Sequence, residues 1–182
     1  MIPKYENLIK AKGKQFTAKH LKQPTGSEKK ELTSVSYGWM KGLTLDPTGT
    51  SDQGMFIFYV QKDASYGFVD AGVNWACSGP YSGCKFQIGK YDGRIYVAHI
   101  SIESGVDHSS DLLKYLPDAK AEFDYTTSMT DVDPKKMPKN VFNVSKYLFA
   151  WWAGDLTNLS VTELTVAGLG MDAGKIINVT KI

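Results

Sequence analysis

From Leu32 onward the chain is a succession of short segments rich in β-branched and aromatic residues, each ended by a Gly, Asp or Pro cluster. That punctuation constrains the fold more than any other feature. LTSVSYGWM, GMFIFYVQ, YGFVDAGV, CKFQIG and RIYVAHISIE read as strands, and LSVTELTVAGLG and KIINVTKI close the chain with two more. GMFIFYVQ is almost continuously apolar, which suits a central strand covered on both faces. Helices are fewer. A basic helical segment is expected within residues 1–30, ended by the polar break QPTGSEKKE. VDHSSDLLKYL has helical spacing, a Ser or Asp available as cap and Pro117 as a stop, and VFNVSKYLFAWWAG reads as an apolar helix ended by Gly154. KAEFDYT is a further strand and TTSMTDVDPKKMPKN a loop. The expected class is α+β: a β-sandwich or twisted, mainly antiparallel mixed sheet flanked by a few helices, in one domain spanning residues 1–182.

Several function classes recede on composition and spacing. The 21 basic and 19 acidic residues leave a net charge of +2, too balanced to call for a nucleic-acid partner, and the lysines between Lys4 and Lys30 read as a solvated face. No apolar run approaches the roughly 18 residues of a membrane span, and MIPKYENLIKAKGKQ lacks the apolar centre of a signal peptide. Without C-x-x-C, H-E-x-x-H or grouped histidines, no metal and no cofactor is expected. GLGMDAG departs from the dinucleotide fingerprint and reads as a turn, and DVDPKK lacks the length of a calcium loop. The aromatic run Tyr147, Phe149, Trp151 and Trp152 reads as core. Cys77 and Cys84 read as free thiols, because a short-loop disulfide adds little to a domain with this much core.

The stretch GPYSGCKFQIGKYDGRIYVAHIS holds one of those thiols and one of three histidines on the arms of a hairpin. A two-residue loop at Tyr91-Asp92 would pair Lys90 with Gly93 and set Cys84 opposite His99, with Cβ atoms about 4.5–5.5 Å apart. A three-residue loop, Tyr91-Asp92-Gly93, would put the two side chains on opposite faces. Pro80-Tyr81-Ser82-Gly83 leads into Cys84 as a turn, whose backbone N–H groups would hold an oxyanion and whose Gly83 would allow close substrate approach. The competing reading of the same residues is a small buried thiol and a satisfied histidine.

Y-S-G-C followed fifteen residues later by His resembles the L-S-G-C and His signature of the cytotoxic necrotizing factor-like glutamine deamidase toxins, stand-alone lethal-factor-type deamidases included. Chemotaxis-receptor deamidases have a related Gly-Ser-Cys and His arrangement. The resemblance covers roughly residues 78–101, with Tyr81 in place of the usual Leu, at what would be the pocket mouth. It implies a β-sandwich with a narrow pocket for one glutamine side chain, Cys84 as nucleophile, activated to a thiolate by His99, and His99 as acid/base. Ser78, where some relatives carry Thr, would orient the histidine, with Asn74 the other candidate. Ser82, Gly83 and Tyr81 would serve the oxyanion and the substrate. The function implied is a bacterial toxin or effector, secreted or delivered into a host cell, that acts as a monomer and converts a Gln of a host protein to Glu. A Rho-family small GTPase is the leading target and a translation initiation factor the second. The alternatives are another Cys-His amidase or peptidase, and a non-enzymatic β-sandwich that binds ligand through its aromatics.

Overall fold

The computed structural model describes residues 1–18, 20–130, 132, 135, 137, 143–168 and 174–182. Tyr5–Leu8 forms a single helical turn, α1, continued by a 3-10 turn at Ile9–Ala11. The strands that follow are β1 (Phe16–Thr17), β2 (Lys30–Gly38), β3 (Gly42–Asp46), β4 (Gly54–Ile57), β5 (Ala64–Phe68), β6 (Trp75–Tyr81), β7 (Lys85–Tyr91), β8 (Arg94–Ile100), β9 (Ile102–Glu103) and β10 (Val106–Asp107). Helix α2 (Ser109–Tyr115) then precedes β11 (Lys120–Thr126), β12 (Val144–Ala153), β13 (Asp155–Ala167) and β14 (Ile176–Lys181). Among the described residues no helix is long and apolar enough to cross a membrane.

Eight strands form one sheet in the order β1-β3-β2-β4-β6-β12-β13-β14. It curls until its ends meet. Gly13 N–H donates to Ile176 O, Phe16 N–H to Gly174 O and Ile176 N–H to Lys14 O, and a bridge pairs Gln15 with Lys175. Closure of this kind removes the exposed sheet edges. Inside lie Phe16, Leu43, Phe56, Trp75, Cys77, Tyr147, Phe149 and Leu164, roofed by Leu8 and Ala11 of the N-terminal turns.

A second sheet, β11-β7-β8-β5, covers the outer face of this barrel. Met55, Ile57, Ala76, Leu148, Ala150 and Trp152 of the barrel meet Phe86, Ile88 and Val97 of the second sheet. Beyond that sheet, Leu112 of α2 and Leu116 just past its end pack on Tyr66, Phe68, Tyr96, Ala98 and Ile100. Three apolar layers result, so β4, β6, β12 and β8 are buried on both faces. The expectation of a β-rich α+β sandwich is met, as are α2 and its stop at Pro117, the strand β11 and the two C-terminal strands. Both cysteines are free.

Three expectations are corrected. Residues 1–30 hold one helical turn, a 3-10 turn and β1 rather than a basic helix. VFNVSKYLFAWWAG carries β12 rather than a helix; residues 141 and 142 lie outside the description. Strand β12 sends Tyr147 and Phe149 into the barrel and Leu148, Ala150 and Trp152 toward the second sheet. A strand apolar on both faces loses the alternation that would distinguish it from a helix. WACSGPY forms β6 through Tyr81, where a turn was expected to begin at Pro80. Much of TTSMTDVDPKKMPKN, including most of DVDPKK, and five residues of GLGMDAG lie outside the described residues.

Candidate active site

The hairpin of β7 and β8 turns through Asp92 and Gly93, not Tyr91 and Asp92. Tyr91 pairs with Arg94, Lys90 with Ile95 and Gly89 with Tyr96, so His99 faces Phe86 instead of Cys84. Asp92 has φ 48 and Gly93 φ 72, the pair of positive values that a two-residue hairpin turn of the primed type requires. The displacement is two residues, and two residues preserve the face. Cys84 therefore sits on the same side of the sheet as Phe86 and His99, as a diagonal neighbour of the histidine, where such pairs lie about 7–8 Å apart at Cα. Both point into the layer between the two sheets.

His99 is fully buried there, and so is Ser78, which enters the layer from the barrel on β6. Ser78 Oγ lies 3.0 Å from His99 Nδ1 and donates its own proton to Ile57 O at 2.7 Å. A hydroxyl has one proton to give; with that proton committed to a carbonyl, Oγ accepts from Nδ1–H. The tautomer is thereby fixed, and Nε2 carries the lone pair. Nε2 is buried with no hydrogen-bond partner among the described residues. Burial holds the imidazole neutral, with its pKa lowered from 6.5 to about 3. On its other side the strand is held by the β5–β8 ladder, in which Ser65 pairs with His99 while its hydroxyl donates to Phe58 O.

Tyr81 stacks on the imidazole, ring centroids 4.0 Å apart and planes 18° from parallel. A bulge in β6 makes this possible. Ser78 pairs with Leu148 and Tyr81 with Lys146, so Gly79 and Pro80 stand opposite the single residue Tyr147. The extra residue turns Tyr81 to the same side as Ser78. Gly79 is required at that point, because a Cβ there would stand 2.5 Å from Tyr147 Cδ1. Tyr81, expected at the pocket mouth, is instead wholly buried against His99.

Cys84 follows the exposed Ser82 and the half-buried Gly83, whose φ is 120, and is itself only 6% exposed. Burial pushes its thiol pKa up, partly offset by the backbone N–H groups of Ile102 and Ser82 directed at the sulfur, while the Glu103 carboxylate adds to the rise. The resting pair is a neutral thiol and a neutral imidazole. That corrects the expectation of a thiolate stabilised by His99. Ser82 and Ile102 supply N–H groups beside the sulfur, where an oxyanion would form. The Gly83 N–H is otherwise engaged: it donates to Thr127 Oγ1 at 3.1 Å, and Thr127 donates from both its hydroxyl and its backbone N–H to Cys84 O at 3.0 Å.

Sequence reasoning did not find Thr127, Glu103, Tyr59 or Ile102. Glu103 Oε1 accepts from the Tyr59 hydroxyl, from Ser101 Oγ at 3.1 Å and from Lys62 N–H at 3.2 Å. The Tyr59 ring lies 5.2 Å from that of His99. The group at His99 Nδ1 is Ser78 and not Asn74, whose carbonyl accepts from Trp152 N–H. Trp152 is core as expected, and the half-buried Trp151 lies under Lys4 Nζ at 3.6 Å. Compared with known proteins, the chain matches no family model and no curated protein sequence.

Proposed function

We propose that the chain is a protein-glutamine deamidase, with Cys84 as nucleophile, His99 as acid/base and Ser78 as the group that orients the histidine. The observation that carries the reading is the bare Nε2 of His99. Its tautomer is set by Ser78, it has no partner among the described residues, and it lies on the face it shares with Cys84, the less buried of the two thiols. Catalytic hydrogen bonds are often unformed before substrate arrives, so a diagonal thiol and imidazole are compatible with a working dyad.

In the proposed cycle Nε2 takes the Cys84 proton as sulfur attacks the carboxamide carbon, and the Ile102 and Ser82 N–H groups receive the oxyanion. The imidazolium formed at that moment lies against the face of Tyr81, where a cation is favoured. It returns the proton to the amide nitrogen, ammonia leaves and a thioester remains. Water then attacks the thioester while Nε2 takes its proton, and the collapse restores the thiol and frees a glutamate side chain. A site whose imidazole and orienting serine are both fully buried suits a single inserted side chain better than an extended peptide, which favours deamidase over peptidase.

The resemblance of the Y-S-G-C and His spacing to toxin deamidases supports a host protein as substrate, with a Rho-family GTPase first and a translation initiation factor second. Turning the water-positioning Gln of a GTPase into Glu would stop hydrolysis and hold the switch on. Intact-protein mass spectrometry of candidate targets incubated with the chain tests the proposal. The expected result is a mass gain matching one Gln→Glu conversion, lost with Cys84→Ser and with His99→Ala. A mass gain that survives Cys84→Ser, or none on any GTPase or translation factor, would overturn it.

A further inference from the structure

We propose that Glu103 sets the charge selectivity of the Cys84 site, admitting a neutral carboxamide and repelling a carboxylate, and so favouring release of the product the site makes. The inference rests on the deamidase reading for its biological meaning, though its geometry stands apart from it.

Glu103 closes the strand whose preceding residue, Ile102, directs its N–H at the Cys84 sulfur. Continuing the β7–β8 register one step past the Lys85–Ile100 pair places Ser101 opposite Cys84, and Ser101 Oγ is bonded to Glu103. Tyr59, the third contact, holds the carboxylate through its hydroxyl while its ring lies against His99. Glu103 is thus tied to the neighbours of both the nucleophile and the base.

The two carboxylate oxygens differ. Among the described residues Oε1 takes three donors, Tyr59, Ser101 and the Lys62 N–H, whereas Oε2 takes one long bond of 3.4 Å from the exposed Gln61. Every one of these partners is uncharged, so among the described residues the negative charge is held in place without an ion pair. The hydroxyl of Tyr59, the largest cause, and the other donors hold the carboxyl below its usual range and keep it ionised at neutral pH. Oε2 retains lone pairs for an N–H donor, which a carboxamide has and a carboxylate lacks. Substrate and product of deamidation differ in this one respect: the amide is neutral and donates, the acid is negative and only accepts. An ionised carboxylate beside the nucleophile therefore discriminates between them in the direction that clears the site.

Two alkylating probes of similar size and opposite relevance test this. Iodoacetamide is a neutral carboxamide and iodoacetate its anionic counterpart, and both label a thiolate at sulfur with loss of iodide. Their rates at Cys84, followed by peptide mass spectrometry, give a ratio from which the thiolate fraction cancels. Replacement by Glu103→Gln is expected to lower the iodoacetamide-to-iodoacetate ratio by roughly three- to tenfold, while Glu103→Asp keeps most of it. In the unaltered protein the same ratio should fall as salt is raised, since added ions screen the carboxylate. A ratio that ignores both Glu103→Gln and salt overturns the inference. The fully buried Cys77 reports unfolding, and were Glu103→Gln to expose it, the salt series on the unaltered chain decides. Deamidation measured in parallel separates the two claims. A shifted ratio with no deamidation leaves the selectivity standing and the enzymatic reading fallen; deamidation with an unshifted ratio does the reverse.

Discussion

The barrel interior and the layer between barrel and second sheet are built from the same strands, yet they differ in kind. β6 and β12 face both ways, sending Trp75, Cys77, Tyr147 and Phe149 inward and Ala76, Ser78, Leu148 and Ala150 outward. Inward, Cys77 meets an apolar surround and its pKa is pushed well up by burial alone. Outward, Cys84 has backbone N–H groups and a carboxylate around it and shares its face with His99. The outer layer also buries Lys146 and Glu163, 2.8 Å apart and 1% and 3% exposed, with Tyr125 donating to Glu163 at 3.2 Å. A stable domain needs the first kind of interior; only the second kind, with polar groups held dry and paired or deliberately left bare, can do chemistry.

The sharpest way to break that contrast is to strip one partner from the outer layer. Lys146→Met should cost about 3–5 kcal/mol in urea unfolding by breaking the buried Lys146–Glu163 ion pair, and Glu163→Leu added to it should recover most of the loss. If the single variant were as stable as the parent, the layer would be wetter than its burial indicates. Acidification probes the same layer more gently. The folded-state pKa of His99 lies far below its unfolded value of 6.5, so below pH 6.5 the unfolded chain binds a proton that the folded chain refuses. Stability should therefore fall as pH drops, by about 1.4 kcal/mol per unit from this one group, down to about pH 3. Between pH 6 and roughly 5, above the range where carboxylates titrate, His99→Gln should flatten the slope in denaturant titrations. A slope equal in both proteins would assign the effect elsewhere. The most local effect expected is that of Thr127→Val, which removes two hydrogen bonds that fix the Gly83–Cys84 backbone. It should cost about 1–3 kcal/mol of stability and lower deamidation turnover more than substrate affinity.

How much of this was legible in the sequence depended on whether a signal was local. Cys84 and His99 were named from spacing and Ser78 from the resemblance, and the structure gathers Ser78 and His99 into direct contact. The parity that put Cys84 and His99 on one face was sound, while their direct opposition was not. Asp92-Gly93 is the dipeptide that a primed two-residue turn favours, and centring the loop on it gives the observed register. VSKYLFAWWA misled because two covered faces erase periodicity, though its aromatic and β-branched content favoured a strand. The bulge at Gly79-Pro80 and the role of Thr127 had no local signal. One depends on the partner strand β12, the other on a residue 43 positions away along the chain.

The seam of the barrel ties residues 13–16 to 174–176, so its main-chain bonds span almost the whole length of the chain. Contacts that distant are slow to form, because the entropy of closing the loop must be met before they are gained. During synthesis the ribosome releases residues 13–16 long before 174–176 exist. Until then the segment leading into β1 has β3 on one side and nothing on the other, and the barrel interior that holds Phe16 stands open to water. The chain must therefore wait, with much of its apolar lining assembled but unsealed, and for that interval chaperones would find it a client.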